Sequence, residues 1–161
     1  MKHVIYELAR SNNVLFVFYD FETTQDIKFS DTATVHVSNL VCLQQFCSLC
    51  LSRDDIDEEC ERCGKIKHSF FEDPVGDLTY LCEPRAWCKR VVAIAHNARG
   101  YDAQFILQRA IILKWKLEFT LNGAKIMCMR MEHLVFIYYF ISTYAMTQAA
   151  RAFVLSSSKS C

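Results

Sequence analysis

Two uninterrupted apolar runs stand out along the chain. One covers residues 14–19 and the other residues 91–95, and neither has the spacing of an amphipathic helix. Runs of this length predict strands that are buried on both faces of a sheet. Asp20 directly follows the first run, and His96 and Asn97 follow the second. Polar side chains are therefore expected at the ends of two buried strands.

A helix is predicted after the second run. Apolar residues recur at helical spacing from Asp102 to Leu113, and the aspartate is placed to cap that helix. Residues 34–46 predict a further extended segment earlier in the chain, whereas the polar region that holds Pro74 receives no predicted element. Strand, loop and helix in succession indicate an α/β fold.

A hairpin is predicted beyond the helix. Residues 117–121 alternate between apolar and polar side chains and place three apolar ones on a single face. Asn122-Gly123 comes next, and residues 125–131 continue the extended pattern. Asn-Gly between two such runs is a strong hairpin signal, because both residues tolerate the positive φ angles of a tight turn.

Composition and charge narrow the classes of protein that fit. The 161 residues are 52% hydrophobic with only four Gly and two Pro, which favours one globular domain. Eighteen basic residues balance eighteen acidic ones, so no overall field attracts nucleic acid. Residues 134–141 are too few to span a bilayer, which takes roughly 20 residues, and residues 1–13 lack the apolar core of a signal peptide. We predict a soluble intracellular protein, nuclear or cytoplasmic, with no membrane partner.

Four of the nine cysteines form two Cys-x-x-Cys pairs, which are Cys47, Cys50, Cys60 and Cys63. Thiolates at this spacing favour tetrahedral Zn²⁺, so we predict structural zinc in a ribbon-like insert at about residues 42–68. Reduced thiols without a metal are the alternative. His68 is expected at the surface rather than on the metal, since four thiolates complete a tetrahedral shell.

Asp20 and Glu22 mark a second candidate site. Side chains alternate along a strand, so both carboxylates lie on one face while Phe21 points to the other. Carboxylate oxygens are ligands of Mg²⁺ and Mn²⁺, and a two-metal phosphodiesterase needs several of them. Asp102, at the start of the predicted helix, is a natural third ligand. Each pattern alone is also typical of a solvated turn or a simple helix cap.

The order of these motifs resembles the exonuclease region of family B DNA polymerases. Residues 18–24, Phe-Tyr-Asp-Phe-Glu-Thr-Thr, resemble the first exonuclease motif, and residues 96–102, His-Asn-Ala-Arg-Gly-Tyr-Asp, resemble the second. The likeness is greatest to the protein-primed branch of Maverick/Polinton-type elements and related viruses. It covers residues 14–137 with the Cys-rich insert, and leaves residues 1–13 as an N-terminal segment and 138–161 as a divergent tail.

The resemblance implies a ribonuclease H-like fold and 3′-to-5′ hydrolysis of single-stranded DNA ends during DNA replication. It implies that Mg²⁺ or Mn²⁺ ions are held by Asp20, Glu22 and Asp102. Lys125 resembles the family's exonuclease lysine, although a solvated hairpin lysine fits that position equally well. The positions implied to contact the DNA 3′ end are Thr23, Asn97 and Tyr101.

The chain departs from the family after the second motif. No Tyr-x-x-x-Asp motif follows Asp102, so the family's fourth carboxylate is missing, and no segment resembles a polymerase palm. We therefore expect a truncated or decayed polymerase, which adds no nucleotides and whose natural partner is the missing polymerase domain. The alternative is a catalytically dead module in which the zinc-containing segment and the core bind nucleic acid or protein.

Overall fold

Seven strands and two helices form in the part of the chain that this computed structural model describes, which is residues 13–51, 57–95, 102–123 and 125–138. The strands are β1 (Val14–Ser30), β2 (Ala33–Cys47), β3 (Lys67–Phe70), β4 (Arg90–Ala95), β5 (Glu118–Asn122), β6 (Lys125–Met131) and β7 (Leu134–Ile137). The helices are α1 (Pro74–Leu81) and α2 (Asp102–Ile112).

The described strands form one mixed sheet in the order β3-β2-β1-β4-β7-β6-β5. β1, β2 and β3 make an antiparallel meander, whereas β4 runs parallel to β1 and β7 runs parallel to β4. β6 is antiparallel to both of its neighbours, β5 and β7. The mixed sheet with its helices confirms the α/β class. The carboxyl ends of β1, β4 and β7 point in the same direction.

The first half of β1 is buried on both faces of the sheet, as its apolar run predicts. Leu15 and Val17 point into the main core, which also takes Leu78 from α1 and Ile106 from α2. Val14 and Phe16 point to the opposite face, where they join Val92 and Ile94 of β4 in a second buried cluster. Both described helices therefore pack against the same face of the sheet.

β1 continues well past the strand that its apolar run predicts. It extends to Ser30 because it pairs along its length with β2, with register shifts after Glu22, Thr24 and Lys28. β4 accompanies β1 only as far as Tyr19. The outer part of the β1–β2 hairpin is largely exposed, and Phe29 near its tip is among the most exposed apolar side chains.

Three described elements have no counterpart in the sequence prediction: β3, α1 and β7. α1 begins at Pro74, the first-turn position at which a proline costs no hydrogen bond. The Asp73 carboxylate caps this helix by accepting the Gly76 N–H at 3.1 Å, and it also accepts from Arg109 of α2 at 3.0 Å. Proline in the polar region therefore marks the start of a helix rather than its absence.

The predicted hairpin is confirmed as β5 and β6, with Gly123 in the turn at a φ of 61°. The apolar face of β5 is not buried, however, and Phe119 and Leu121 are exposed. Among the described strands, β5 lies at the edge of the sheet and has β6 as its single neighbour. In the described part of the chain, no helix is long and apolar enough to cross a membrane.

Candidate metal centres

The two Cys-x-x-Cys pairs meet in one buried cluster. The Sγ atoms of Cys47 and Cys50 are 3.8 Å apart, those of Cys47 and Cys60 3.7 Å, and those of Cys50 and Cys63 3.5 Å. All four sulfurs lie within 4.8 Å of one another. Among the described residues, no other group of three or more His, Cys, Asp or Glu side chains is close enough to hold a metal ion.

These distances fit a tetrahedral metal site and not a pair of disulfides. A disulfide requires sulfur atoms about 2.05 Å apart, and the four thiols are free. Zinc–sulfur bonds of about 2.3 Å in a tetrahedron place neighbouring sulfurs about 3.8 Å apart. The four cysteines could therefore bind a metal ion such as zinc, and His68 is not part of the cluster.

Local turns orient the thiols toward one another. Cys60 and Gly64 exchange two backbone hydrogen bonds, of 2.9 and 2.7 Å, and Gly64 adopts a φ of 80° that favours glycine. The Cys47 N–H donates to the Cys50 sulfur at 3.3 Å. A hydrogen bond from Cys63 is the main cause that lowers the pKa of Cys50, which favours the thiolate form that binds a metal.

The cysteine cluster belongs to the main core rather than to a separate appendage. Its four residues pack in the same buried cluster as Leu15 and Leu78. Cys47 pairs with Leu15 near the beginning of β1, five residues before Asp20. Five steps along a strand span about 17 Å, so the cysteine cluster does not touch the carboxylates.

Asp20 and Glu22 project beyond the end of β4. Tyr19 pairs with Ala95, the last residue of β4, so the carboxylates follow the point where the two parallel strands part. Asp20 is half-buried, Glu22 is exposed, and Phe21 is buried in the core on the other face. The alternation predicted from the sequence is therefore confirmed.

Asp102 lies close to Asp20. It is the first residue of α2 and only 4% exposed. Burial, and secondly the negative charge of Asp20, raise its pKa to about 7. No hydrogen bond from any described residue reaches its Oδ2 atom. Two of the three predicted carboxylate ligands, Asp20 and Asp102, are therefore close enough for their charges to interact.

Two buried tyrosines, Tyr19 and Tyr138, line the same region and were not singled out by the sequence. Burial is the main cause that raises the pKa of both phenols, and the charge of Asp102 adds to it. Neither hydroxyl has a hydrogen-bond partner of normal geometry among the described residues. Tyr19 is the last residue of the apolar run, and the sequence does not distinguish it from Phe18. The structure does, because Tyr19 points into the main core.

The remaining predicted site residues are only partly described. The Thr23 hydroxyl is 3.4 Å from Nδ1 of His36 on the neighbouring strand. Lys125 opens β6 opposite Asn122, beyond the carboxyl end of β7 and so at the sheet end where Asp20 lies. Asn97 and Tyr101 lie outside the described residues.

Comparison of the chain with protein-family models, with curated proteins and with solved structures finds no match.

Proposed function

We propose that this chain is part of a DNA-directed DNA polymerase and contains its 3′-to-5′ exonuclease domain, with a ribonuclease H-like fold. The observation that carries the proposal is the meeting of Asp20 and Asp102 where β1 runs past the carboxyl end of its parallel neighbour β4. The sheet order β3-β2-β1-β4-β7, with an antiparallel meander followed by parallel strands, supports the fold assignment.

The proposed chemistry is metal-dependent hydrolysis of a DNA 3′ end. Asp20, Glu22 and Asp102 supply the oxygen ligands that Mg²⁺ or Mn²⁺ prefers. Such an ion, when bound, activates water and offsets negative charge on the phosphate. Asp102 is buried away from solvent water, whereas the exposed Glu22 leaves one side of the proposed site open to substrate. Thr23, Asn97 and Tyr101 are proposed to contact the 3′ end, and Lys125 to offset phosphate charge.

The proposed site has three carboxylates instead of the four that the family uses. Only Glu118 and Glu132 follow Asp102 as acidic residues in the sequence. Glu118 lies on the edge strand β5, four strand spacings or about 19 Å from β1. Glu132 lies in the β6–β7 turn, beside the start of β4 rather than its end. Neither lies near enough to Asp20 to act as a further ligand of the proposed site.

The test compares two double variants of the same hairpin in a nuclease assay. Wild-type protein with Mn²⁺ or Mg²⁺ is expected to shorten single-stranded DNA from its 3′ end. Asp20→Ala with Glu22→Ala removes two metal ligands and is expected to reduce the rate at least about 100-fold. Asp26→Ala with Asp31→Ala changes two exposed acids of the same hairpin and is expected to leave the rate unchanged. Equal rates for all three proteins would refute the assignment.

A catalytically dead binding module is the second candidate. It is favoured by the raised pKa of Asp102, which opposes the charged form that a metal ligand needs, and by the positions of Glu118 and Glu132 away from Asp20. This hypothesis predicts that wild-type protein binds single-stranded DNA or a protein partner and releases no nucleotide at any Mn²⁺ concentration. Metal-dependent release of nucleotides that is lost in the Asp20 and Glu22 double variant would exclude it.

We also propose that the four-cysteine cluster holds one structural Zn²⁺. Elemental analysis of purified protein is expected to find about one zinc per chain. Cys47→Ser with Cys60→Ser should abolish zinc binding, whereas Cys42→Ser with Cys128→Ser should retain it, because neither Cys42 nor Cys128 belongs to the cluster. Protein without zinc, or zinc retained by the first double variant, would contradict the proposal.

A further inference from the structure

Gln45 is a buried polar residue of β2 that lies beside the cysteine cluster and is only 2% exposed. Its side-chain Nε2 donates to the carbonyl oxygen of Cys63 at 2.8 Å and to that of Lys65 at 2.7 Å. Its backbone N–H donates to the carbonyl oxygen of Ile66 at 2.9 Å. One residue therefore binds three carbonyls within residues 63–66, the segment that carries the last cysteine of the cluster.

The orientation of the Gln45 amide follows from these partners. The two N–H groups of Nε2 are used by two carbonyls, so a reversed amide would turn Oε1 toward both of them and lose both bonds. Nε2 of His68 is 3.2 Å from the amide nitrogen and 2.8 Å from the Lys65 carbonyl oxygen. Since the amide has no further hydrogen to give, the His68 Nε2–H donates to Lys65.

A buried amide is costly unless it is hydrogen-bonded, and a leucine would fill this part of the core without that cost. Leu43, Gln45 and Cys47 all point inward along β2, so the glutamine interrupts an apolar face at the position that reaches residues 63–66. Arg85 adds a longer bond, of 3.4 Å, to the Cys63 carbonyl oxygen. The side chains of Gln45 and Arg85 thus hold residues 63–66 by hydrogen bonds to backbone carbonyl oxygens.

We propose that Gln45 is the positioning residue of the metal centre. It fixes the backbone around Cys63 at a set distance from Cys47, which lies two residues further along the same strand. β2 therefore carries Cys47, a ligand of the first Cys-x-x-Cys pair, and also Gln45, which holds the second pair opposite it. The inference rests on the metal site proposed above. Without the hydrogen bonds from Gln45, binding of the metal must itself order residues 63–66, so the affinity for the metal falls.

The experiment measures metal affinity in two variants of adjacent glutamines. Gln45→Met keeps the length of the side chain and removes its donors, and Gln44→Met makes the same change at the neighbouring position, which faces the other way. Competition with a chromophoric chelator is expected to show zinc binding weakened about 10- to 100-fold in Gln45→Met. Gln44→Met is expected to bind zinc as the wild type does.

Cobalt spectroscopy separates positioning from a general loss of stability. Co²⁺ bound by four thiolates gives charge-transfer and ligand-field bands, which should weaken or shift in Gln45→Met at saturating metal and remain in Gln44→Met. A Gln45→Met protein with wild-type zinc affinity and cobalt bands would overturn the inference even though it binds metal. Failure of the wild type itself to bind zinc would refute the metal site instead.

His68→Phe provides a second variant at the edge of the sheet, in case Gln45→Met does not fold. It removes the other donor to the Lys65 carbonyl and retains a ring to stack on Phe70, whose ring lies 5.7 Å from that of His68. A several-fold loss of zinc affinity in the folded protein supports the inference. Unchanged affinity, together with an unfolded Gln45→Met, would count against it.

Discussion

Asp102 combines nearly complete burial with a carboxylate oxygen that has no hydrogen-bond partner among the described residues. An isolated buried charge of this kind is unfavourable, and the neighbouring Asp20 adds to the cost. A divalent cation between the two carboxylates would offset both effects. Asp102 is therefore the residue that the proposed Mg²⁺ or Mn²⁺ site would stabilise most directly.

The raised pKa of Asp102 makes a prediction about stability and pH in the absence of Mg²⁺ and Mn²⁺. Its folded-state pKa of about 7 lies above the ordinary value of 3.8, so between these values the folded protein binds more protons than the unfolded chain. Stability contributed by this group is present below the ordinary pKa and is lost as pH rises through about 7.

Asp102→Asn has no charge to bury, so its stability does not fall with rising pH for this reason. Its free energy of unfolding, relative to that of the wild type, should therefore be higher at about pH 8 than at about pH 5, by about 2 kcal/mol. Urea denaturation at the two pH values measures this difference. Asp26→Asn, at an exposed position of the β1–β2 hairpin, serves as the control and should show none. A constant difference between Asp102→Asn and the wild type would argue against a buried, titrating carboxyl.

At the scale of elements, β1 has two different environments along its length. Its first half lies between β2 and β4 and supplies Val17 and Tyr19 to the core, whereas its second half pairs with β2 beyond the end of β4. The carboxylates stand at the boundary between the two halves. α1 supports the buried half, since Leu78 packs in the same core cluster as Val17.

Truncation of matched leucines tests this division between buried and exposed elements. Leu78→Ala in α1 leaves a cavity in the main core and should lower the free energy of unfolding by about 2–4 kcal/mol. Leu121→Ala on the edge strand β5, where the side chain is 59% exposed, should change it by less than about 0.5 kcal/mol. Chemical denaturation measures both, and similar losses would show that β5 is covered in solution.

At the scale of the whole molecule, the cysteine cluster and the sheet share one core. Cys47, Cys50, Cys60 and Cys63 are buried among residues from β1, β2 and α1. Metal binding in such a position stabilises the folded state as a unit, because the ligands are brought together only by folding. The candidate carboxylate site lies at the other end of β1's buried half. The proposed zinc would therefore affect it only by stabilising the core that both sites share.

Removal of the proposed zinc is therefore expected to destabilise the entire domain. Treatment with a strong chelator under reducing conditions should lower the midpoint of thermal unfolding by on the order of 10 °C while keeping a single transition. Circular dichroism with and without added zinc measures the change. The Cys47→Ser and Cys60→Ser double variant should show the lower midpoint in both conditions. A separate early transition with an unchanged main one would indicate an independent zinc module.

The sequence by itself determined the features that depend on neighbouring residues. Apolar runs without helical spacing predicted the cores of β1 and β4, Asn122-Gly123 predicted the β5–β6 turn, and the cysteine spacing predicted a cluster of four thiols. These predictions hold because strand alternation, turn geometry and tight Cys-x-x-Cys turns are local properties. The alternation that separates Asp20 from Phe21 is of the same kind.

Only the tertiary structure decided the features that depend on distant partners. β3 and β7 have four residues each, and such short strands are defined by their pairing with β2, β4 and β6 rather than by any periodicity of their own. Depth of burial likewise separates Asp102 from an ordinary helix cap, and Gln45 from an ordinary strand glutamine. Both properties arise where segments far apart in sequence pack together, and no local pattern records that packing.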